Sequence, residues 1–368
     1  MDLRAGRSHA GRRPWVVAWH EGLYGERGFY RGAAGPAGHF ATSCHGRAGV
    51  LLADALRTLA ARHGCSQIID IGAGRGELLT ALAAGEAPLA LTGVDIVARP
   101  SGLAENIDWI RSPGGPHLPS LGPLEDALVF ANEWLDVIPV PVGEVDARGV
   151  LREVEVDAEG AEHLGASAGE TATFDEQDLA WAMTWWPAGD APGTRVEVGR
   201  PRDIALRALI DAIGSGVIVA ADYGHRREAR PGAGTLVGYR GGQLTAPLPD
   251  GSTDLTAHVA MDSLPHDRLR TQREALLDLG FDGTGVLAGR GTSYDLARRD
   301  PQRYLAALQH NSARAQLLNA PLGDFTWAIT EIPPRSARTE GHALESAEDK
   351  GRPTHHVDQL DGRIALQQ

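Results

Sequence analysis

The chain has 368 residues, a net charge of −13 and 42% hydrophobic residues, so it can bury a sizeable core in one large domain or two smaller ones. Its acidic balance argues against a general nucleic-acid or anionic-membrane binder, since both need a basic face, although a local basic groove stays open. Arginine supplies almost all the positive charge, Lys350 being the only lysine, and no apolar run is long enough to span a bilayer. Cys44 and Cys65 are too few for a disulfide framework or a thiolate metal cluster, which fits a reducing cytoplasm.

In chain order, residues 1–13 read as a disordered N-terminus. Arg4, Arg7, Arg12 and Arg13 against Asp2 suit either an ordinary solvated end or an organellar transit segment. The expected location is therefore the bacterial cytoplasm, with the mitochondrion as the alternative. From Trp15 to Phe40 the chain is rich in aromatics and glycine. That stretch reads as a satellite cluster packed over the main sheet, or as a lid or substrate wall. Leu51, Leu52, Ala55, Leu56 and Leu59 have helical spacing, with Gly64 as a stop.

The run Gln67–Ile71 then reads as a buried parallel strand leading into Gly72, Gly74 and Gly76 and a helix ending near Ala84. The glycines open backbone conformations closed to other residues and let a ligand approach the main chain. Leu89–Asp95 is a second strand, and Asp95, 23 residues beyond Gly72, has the spacing of an acid that meets a ribose hydroxyl. After a weakly patterned segment with Trp109 and a Pro/Gly-rich loop, Asp126–Ala131 is a further buried strand. It opens into Asn132, Glu133 and Asp136 at the carboxyl edge of the sheet, where open α/β folds bind ligands.

Residues 140–192 break the α/β rhythm. Two period-two runs, 140–145 and 149–156, read as an inserted hairpin, and Phe174–Trp186 as a short helix. The rhythm resumes with a helix over Pro201–Ile213, a strand over Gly216–Asp222, a long loop at 225–253, a helix near 271–279 and a late strand over Phe325–Thr330. Residues 333–368 read as a disordered tail. Within it, His355, His356 and Asp358 lack a closed ligand set, so no metal is expected.

The glycine turn lacks the third glycine of the dinucleotide fingerprint and carries Glu77 there. An acid suits a helix start but is a poor neighbour for a pyrophosphate. It is no obstacle to S-adenosylmethionine, which has a ribose for Asp95 and a positive sulfonium compatible with Asp70.

Five stretches in the right order, spanning roughly 20–330, resemble the MidA family, also called the complex I assembly factor 7 family, of class I S-adenosylmethionine-dependent methyltransferases. They are Leu23-Tyr24 through Gly28-Phe29-Tyr30, Gly38 through Ser43, Asp70 through Leu78, and Ala131 through Asp136 with Pro139. The fifth joins Asp222-Tyr223-Gly224, Gly234-Thr235-Leu236, Tyr239-Arg240 and Asp254 through Val259. The chain departs from the family pattern at His39, Cys44 and His45, at Ala73 where proline is usual, and at Gly241-Gly242-Gln243 where a histidine commonly follows.

The resemblance implies an α/β fold: a Rossmann-like class I sheet with helices on both faces, plus an inserted hairpin and helix region for substrate. It implies a catalytic domain over 14–332, with a lid at 14–45, an insertion at about 140–192 and a substrate loop at about 225–265. It also implies methylation of an arginine on a protein substrate, with a small-molecule acceptor or a non-catalytic assembly factor as alternatives. Cofactor contacts would come from Asp70, Gly72, Ala73, Gly74, Gly76, Asp95, Ile96 and Asn132.

Glu133 and Asp136, three apart, would share one face of a helical turn and grip a guanidinium, with Asn132 orienting cofactor or acceptor. Capping by Asp136 and pairing of Glu133 with a structural arginine is the competing account. Tyr30, Phe40, Thr42, Ser43, Tyr223, Asp254 and His258 are candidate substrate contacts, with core packing competing for the aromatics and a structural role for His258. The expected partner is a protein substrate, with no nucleic acid, and a homodimer remains open.

Overall fold

The computed structural model describes residues 11–32, 43–86, 88–122, 124–281 and 292–334. Phe40 and Thr42, the histidines near 355 and most of the expected tail lie outside them.

The strands of the main sheet are β1 (Gln67–Ile71), β2 (Ala90–Asp95), β3 (Ile107–Arg111), β4 (Ala127–Asn132), β5 (Gly216–Asp222), β6 (Arg268–Thr271) and β7 (Thr326–Ile332), in spatial order 3-2-1-4-5-7-6. The first five pair in parallel. β7 runs antiparallel to both β5 and β6, with Gly216 opposite Ile332 and Asp222 opposite Thr326. Strand β3 was the weakly patterned segment around Trp109. It is an edge strand on which only Ile107 is fully buried, so it lacks the continuous apolar run that marks β1, β4 and β5.

Alternation along the central strands sorts their side chains onto two faces. Ile68, Leu128, Phe130, Val217 and Val219 face helices α2 (Gly46–Arg62), α3 (Glu77–Ala83), α6 (Gln272–Asp278) and α8 (Pro301–Leu318). Ile69, Ile71, Val129, Ala131, Ile218 and Ala220 face α5 (Arg200–Ala212) and the segment Val259–Leu264. Each such aliphatic chain, fully buried, contributes roughly 1.5–3 kcal/mol. Helices α7 (Thr292–Arg299) and α8 have no counterpart in the sequence reading; few residues of α8 are buried, and its apolar stripe is correspondingly weak.

The region after β4 forms a second, antiparallel sheet from Val142–Val145, Leu151–Val156, Glu162–Ser167 and Arg195–Glu197. Its edge is extended by Arg13–Pro14, with Arg13 opposite Val156, so chain order begins before the expected boundary. Helix α4 (Glu176–Trp185) follows, started by an Asp175/Asp178 capping box. The first part of the aromatic N-terminal stretch is helix α1 (Trp15–Tyr24). It packs Trp15, Trp19, Leu23 and Tyr24 between the second sheet, Val137 and Val140 beyond β4, and Leu255 and Ala257. A third small sheet joins Val237–Arg240, Gln243–Thr245 and Asp254–Thr256.

Candidate functional site

A cavity of about 940 Å³ opens at the carboxyl edge of the main sheet, the position expected of a ligand site in an open α/β fold. One side is built by the glycine turn after β1. Gly72, Gly74 and Gly76 have φ of +74°, +58° and +78°, a conformation that favours glycine. At Gly76 a Cβ would come within 2.7 Å of Leu103 Cδ1.

The turn's five backbone N–H groups are already engaged. Gly72 N and Ala73 N donate to Val94 O at 2.9 and 3.2 Å, Gly74 N to Asp95 Oδ2 at 2.8 Å, Arg75 N to Glu77 Oε2 at 3.0 Å, and Gly76 N to Ala73 O at 2.8 Å. No donor of this turn is left for a pyrophosphate, and two acceptors are carboxylates. Glu77 thus replaces the third glycine by folding back on the turn and facing His45 at 3.6 Å. Burial acts to raise its pKa, but the His45 and backbone hydrogen bonds win, and it lies below the ordinary value.

Asp70 is buried at the end of β1, and burial, then Asp95 and Glu77, hold its carboxyl well above the usual range. Asp95 is also raised by burial, against the pull of the Val97 and Gly74 N–H groups. Of the three acids around this turn only Glu77 is held below its ordinary value, and a cationic ligand would favour ionisation of the raised Asp70 and Asp95.

The opposite wall comes from the end of β4. Glu133 turns the chain out of the sheet with φ of +50°, a left-handed conformation that strains a non-glycine residue, while its N–H still donates to Ala221 O at 2.9 Å. The following residues make bends and a turn rather than a helical turn, which corrects the helical geometry expected for Glu133 and Asp136. Both nonetheless line the cavity. Ser43 Oγ donates to Asn132 Oδ1 at 3.0 Å, and Asn132 Nδ2 to Glu133 Oε1 at 2.8 Å, so the amide orients Glu133 with one of its two N–H donors. Burial, then the neighbouring Asp136, push Glu133 up to about 8.

Asp136 is almost wholly buried. Its Oδ2 accepts from Thr256 Oγ1 at 2.6 Å and from the Tyr223 hydroxyl, while its Oδ1 has no hydrogen-bond partner among the described residues. Burial raises its pKa, opposed by those two hydroxyls and by Arg202. Asp222, at the end of β5, accepts from Leu135 N and Asp136 N at 3.1 and 3.2 Å; burial, then Asp136 and Glu133, place it well above the usual range. Asp254 is likewise raised well above by burial, and it accepts from Tyr30 Oη at 2.8 Å. The Tyr223 and His258 rings meet edge-to-face at 5.2 Å.

Residues 89–273 match a family described as "Putative S-adenosyl-L-methionine-dependent methyltransferase". The chain belongs to that family. It is an S-adenosylmethionine-dependent methyltransferase, and S-adenosylmethionine is its cofactor. No curated protein matches the chain.

Two crystal structures of a Burkholderia thailandensis protein have a similar fold. One, described as a "likely methyl transferase" and bound to S-adenosyl-homocysteine, is 22% identical with a TM-score of 0.63, covering 87% of this chain and 88% of that one. The other, a native structure, is 23% identical with a TM-score of 0.64, covering 87% of each. At such identities the likeness bears on fold alone. The methyltransferase sheet is mixed, with helices on both faces.

The methyltransferase brings together on this cavity Asp70, Gly72, Ala73, Gly74, Asp95, Ile96, Asn132, Glu133, Asp136, Tyr30, Tyr223, Asp254 and His258. Gly76 lies behind the turn as the residue before α3, and Ser43 acts from behind Asn132. The sequence reading passed over Tyr24 and Thr256, which line the cavity, and Asp222, which holds the Leu135 and Asp136 N–H groups of its wall. Asp222 carried a signal of the same kind as Asp70, a carboxylate closing a buried strand.

The acid-rich, donor-saturated turn fits S-adenosylmethionine and does not fit a dinucleotide. Asp95 retains unused lone pairs for a diol, and Glu77, held below its ordinary value, supplies negative charge.

Proposed function

We propose that this chain is a class I methyltransferase with a Rossmann-like sheet, organised as one catalytic unit over 14–332, that methylates the guanidinium of an arginine on a protein substrate. The observation that carries this reading is the Asp136 carboxylate. One of its oxygens is held by two hydroxyls, and the other is buried with no partner among the described residues, on a residue that lines the cavity. A buried carboxylate oxygen without a donor is costly, and Glu133, Asp222 and Asp254 add repulsion to it. A bound cation removes both costs. A planar guanidinium does so with several donors at once, where an ammonium presents one point charge. The resemblance to the MidA family points to the same acceptor.

When bound, S-adenosylmethionine supplies an activated methyl group for in-line displacement. The chain's own contribution is alignment and exclusion of water. In this reading Asp95 holds the ribose, and Asp70 and the turn face the cationic end. Asp136 and Glu133 grip the acceptor, and the ionised Glu133 accepts the proton that the methylated guanidinium sheds. Asn132 orients Glu133, and Tyr223 with Thr256 fixes Asp136.

Labelled methyl transfer into a host lysate, resolved by size, tests the proposal. Label in a protein band that is lost with Glu133→Gln supports it. Label confined to small molecules replaces the protein acceptor, and no label sinks the catalytic reading.

A further inference from the structure

We propose that Arg202 is a positioning residue for methyl transfer, fixing the backbone of Asp136 so that its carboxylate stays in the acceptor wall of the cavity. The inference rests on the acceptor pocket proposed above and adds a residue from outside it.

Arg202 sits in the first turn of α5 and is 1% exposed. Its guanidinium donates from three different nitrogens to three carbonyls: Nη2 to Asp136 O at 2.8 Å, Nε to Ile138 O at 3.2 Å, and Nη1 to His258 O at 2.9 Å. It therefore ties the loop after β4 to the segment carrying Thr256 and His258. Its other contact is the Trp19 ring, 5.8 Å away. Among the described residues it makes no ion pair within 4.0 Å. A buried cation held by carbonyls alone is an expensive way to fill a core site that an apolar side chain could occupy.

What the cost secures is visible at Asp136. Asp222 accepts from its backbone N–H, while Arg202 and Ala257 N (3.2 Å) hold its carbonyl. Tyr223 and Thr256 hold Oδ2. Every polar group of Asp136 is thus fixed except Oδ1. Lysine, with one nitrogen, cannot span three separated carbonyls as the planar fork does. The charge also matters, because the groups around Asp136 are otherwise acidic or neutral: Glu133 on its own loop, Asp222 and Tyr223 at the end of β5, Asp254, Thr256 and His258 opposite, and Glu197 beside α5.

Arg202→Met and Arg202→Lys test this. Thermal melting and titration with S-adenosylhomocysteine report fold and cofactor site, and titration of the S-adenosylhomocysteine-loaded enzyme with methylguanidinium across pH reports the acceptor pocket. The expected result is that both variants fold and bind S-adenosylhomocysteine within about threefold of wild type, while methylguanidinium binding weakens about tenfold or more in Arg202→Met and less in Arg202→Lys. The pH midpoint of that binding should also move upward through Asp136, whose carboxyl the Arg202 cation holds down. A folded Arg202→Met with wild-type methylguanidinium affinity and midpoint overturns the inference. So does a failure of both variants to fold, which assigns Arg202 to the core alone. Wild-type enzyme that binds no methylguanidinium at any pH sinks the cationic-acceptor reading, and this inference with it.

Discussion

At the scale of single residues, the site is an excess of carboxylates whose hydrogen bonds are deliberately unequal. Asp136→Asn keeps the shape and the Tyr223 and Thr256 contacts but removes the charge at Oδ1. Losing one partner of a buried charge pair costs about 2–5 kcal/mol, or about one and a half to three and a half decades in kcat/KM. S-adenosylmethionine affinity measured by calorimetry should stay near wild type; equal losses in cofactor affinity and turnover would remove Asp136 from the acceptor site.

Glu133 sets the pH dependence. Its folded pKa is raised to about 8, so acceptor binding should climb as pH rises toward that value, and Glu133→Gln should abolish the limb. Stability runs the other way. A carboxyl whose pKa is higher folded than unfolded holds an extra proton in the folded state, so this group makes stability fall as pH rises from its ordinary 4.5 to about 8. Melting temperatures of the ligand-free enzyme across that window should decline, and Glu133→Gln should flatten the decline.

At the scale of elements, the glycine turn explains what the sequence could and could not disclose. The strand–turn–helix and the acid of β2 were readable from Gln67 to Asp95, because a buried run, positive-φ glycines and a strand-end carboxylate each leave a mark. The turn of Glu77 back onto Arg75 N, which removes the last free donor, depends on side-chain conformation and leaves none. The same holds at Glu133, where a left-handed φ replaced the expected helical turn.

Glu77→Gly restores the dinucleotide spacing and tests the argument. It should bind S-adenosylmethionine more weakly, through lost negative charge and a looser turn, and gain no measurable NAD affinity in calorimetry, since Asp95 still occupies Gly74 N. NAD binding in that variant would show that the fingerprint alone decides.

Strand β2 offers a packing test. A Cβ at Gly93 would lie 2.6 Å from Trp109 Cε3 and 2.8 Å from Leu79 Cδ1, so Gly93→Ala should cost about 1–3 kcal/mol in denaturant unfolding by overpacking. An unchanged midpoint would mean that Trp109 moves freely.

At the scale of the whole molecule, helix α1 joins parts that the sequence reading kept separate. The aromatic stretch was read as lid, wall or satellite cluster. Its first part, Trp15–Tyr24, is a helix whose Trp19 Nε1 donates to Leu255 O at 3.0 Å and whose Tyr24 Oη donates to Val137 O at 3.1 Å. Trp15 Nε1 reaches Glu162 Oε1 of the second sheet at 2.6 Å. The helix therefore braces the loop after β4, the 254–257 segment and the inserted sheet against one another. Periodicity announces which face of an element is apolar but not which distant segments share it, which is why this role was not legible.

Leu23 is fully buried in that junction, and Leu23→Ala should cost about 2–5 kcal/mol by leaving a cavity. Because the weakened junction supports the acceptor wall rather than the glycine turn, cofactor affinity should persist. Saturating S-adenosylmethionine should then return about 2.7 kcal/mol at a hundredfold excess over Kd. Urea unfolding with and without S-adenosylmethionine measures both. If the cofactor restored much less to Leu23→Ala than to wild type, α1 would be supporting the cofactor half of the site, and the division of the cavity between turn and junction would have to be redrawn.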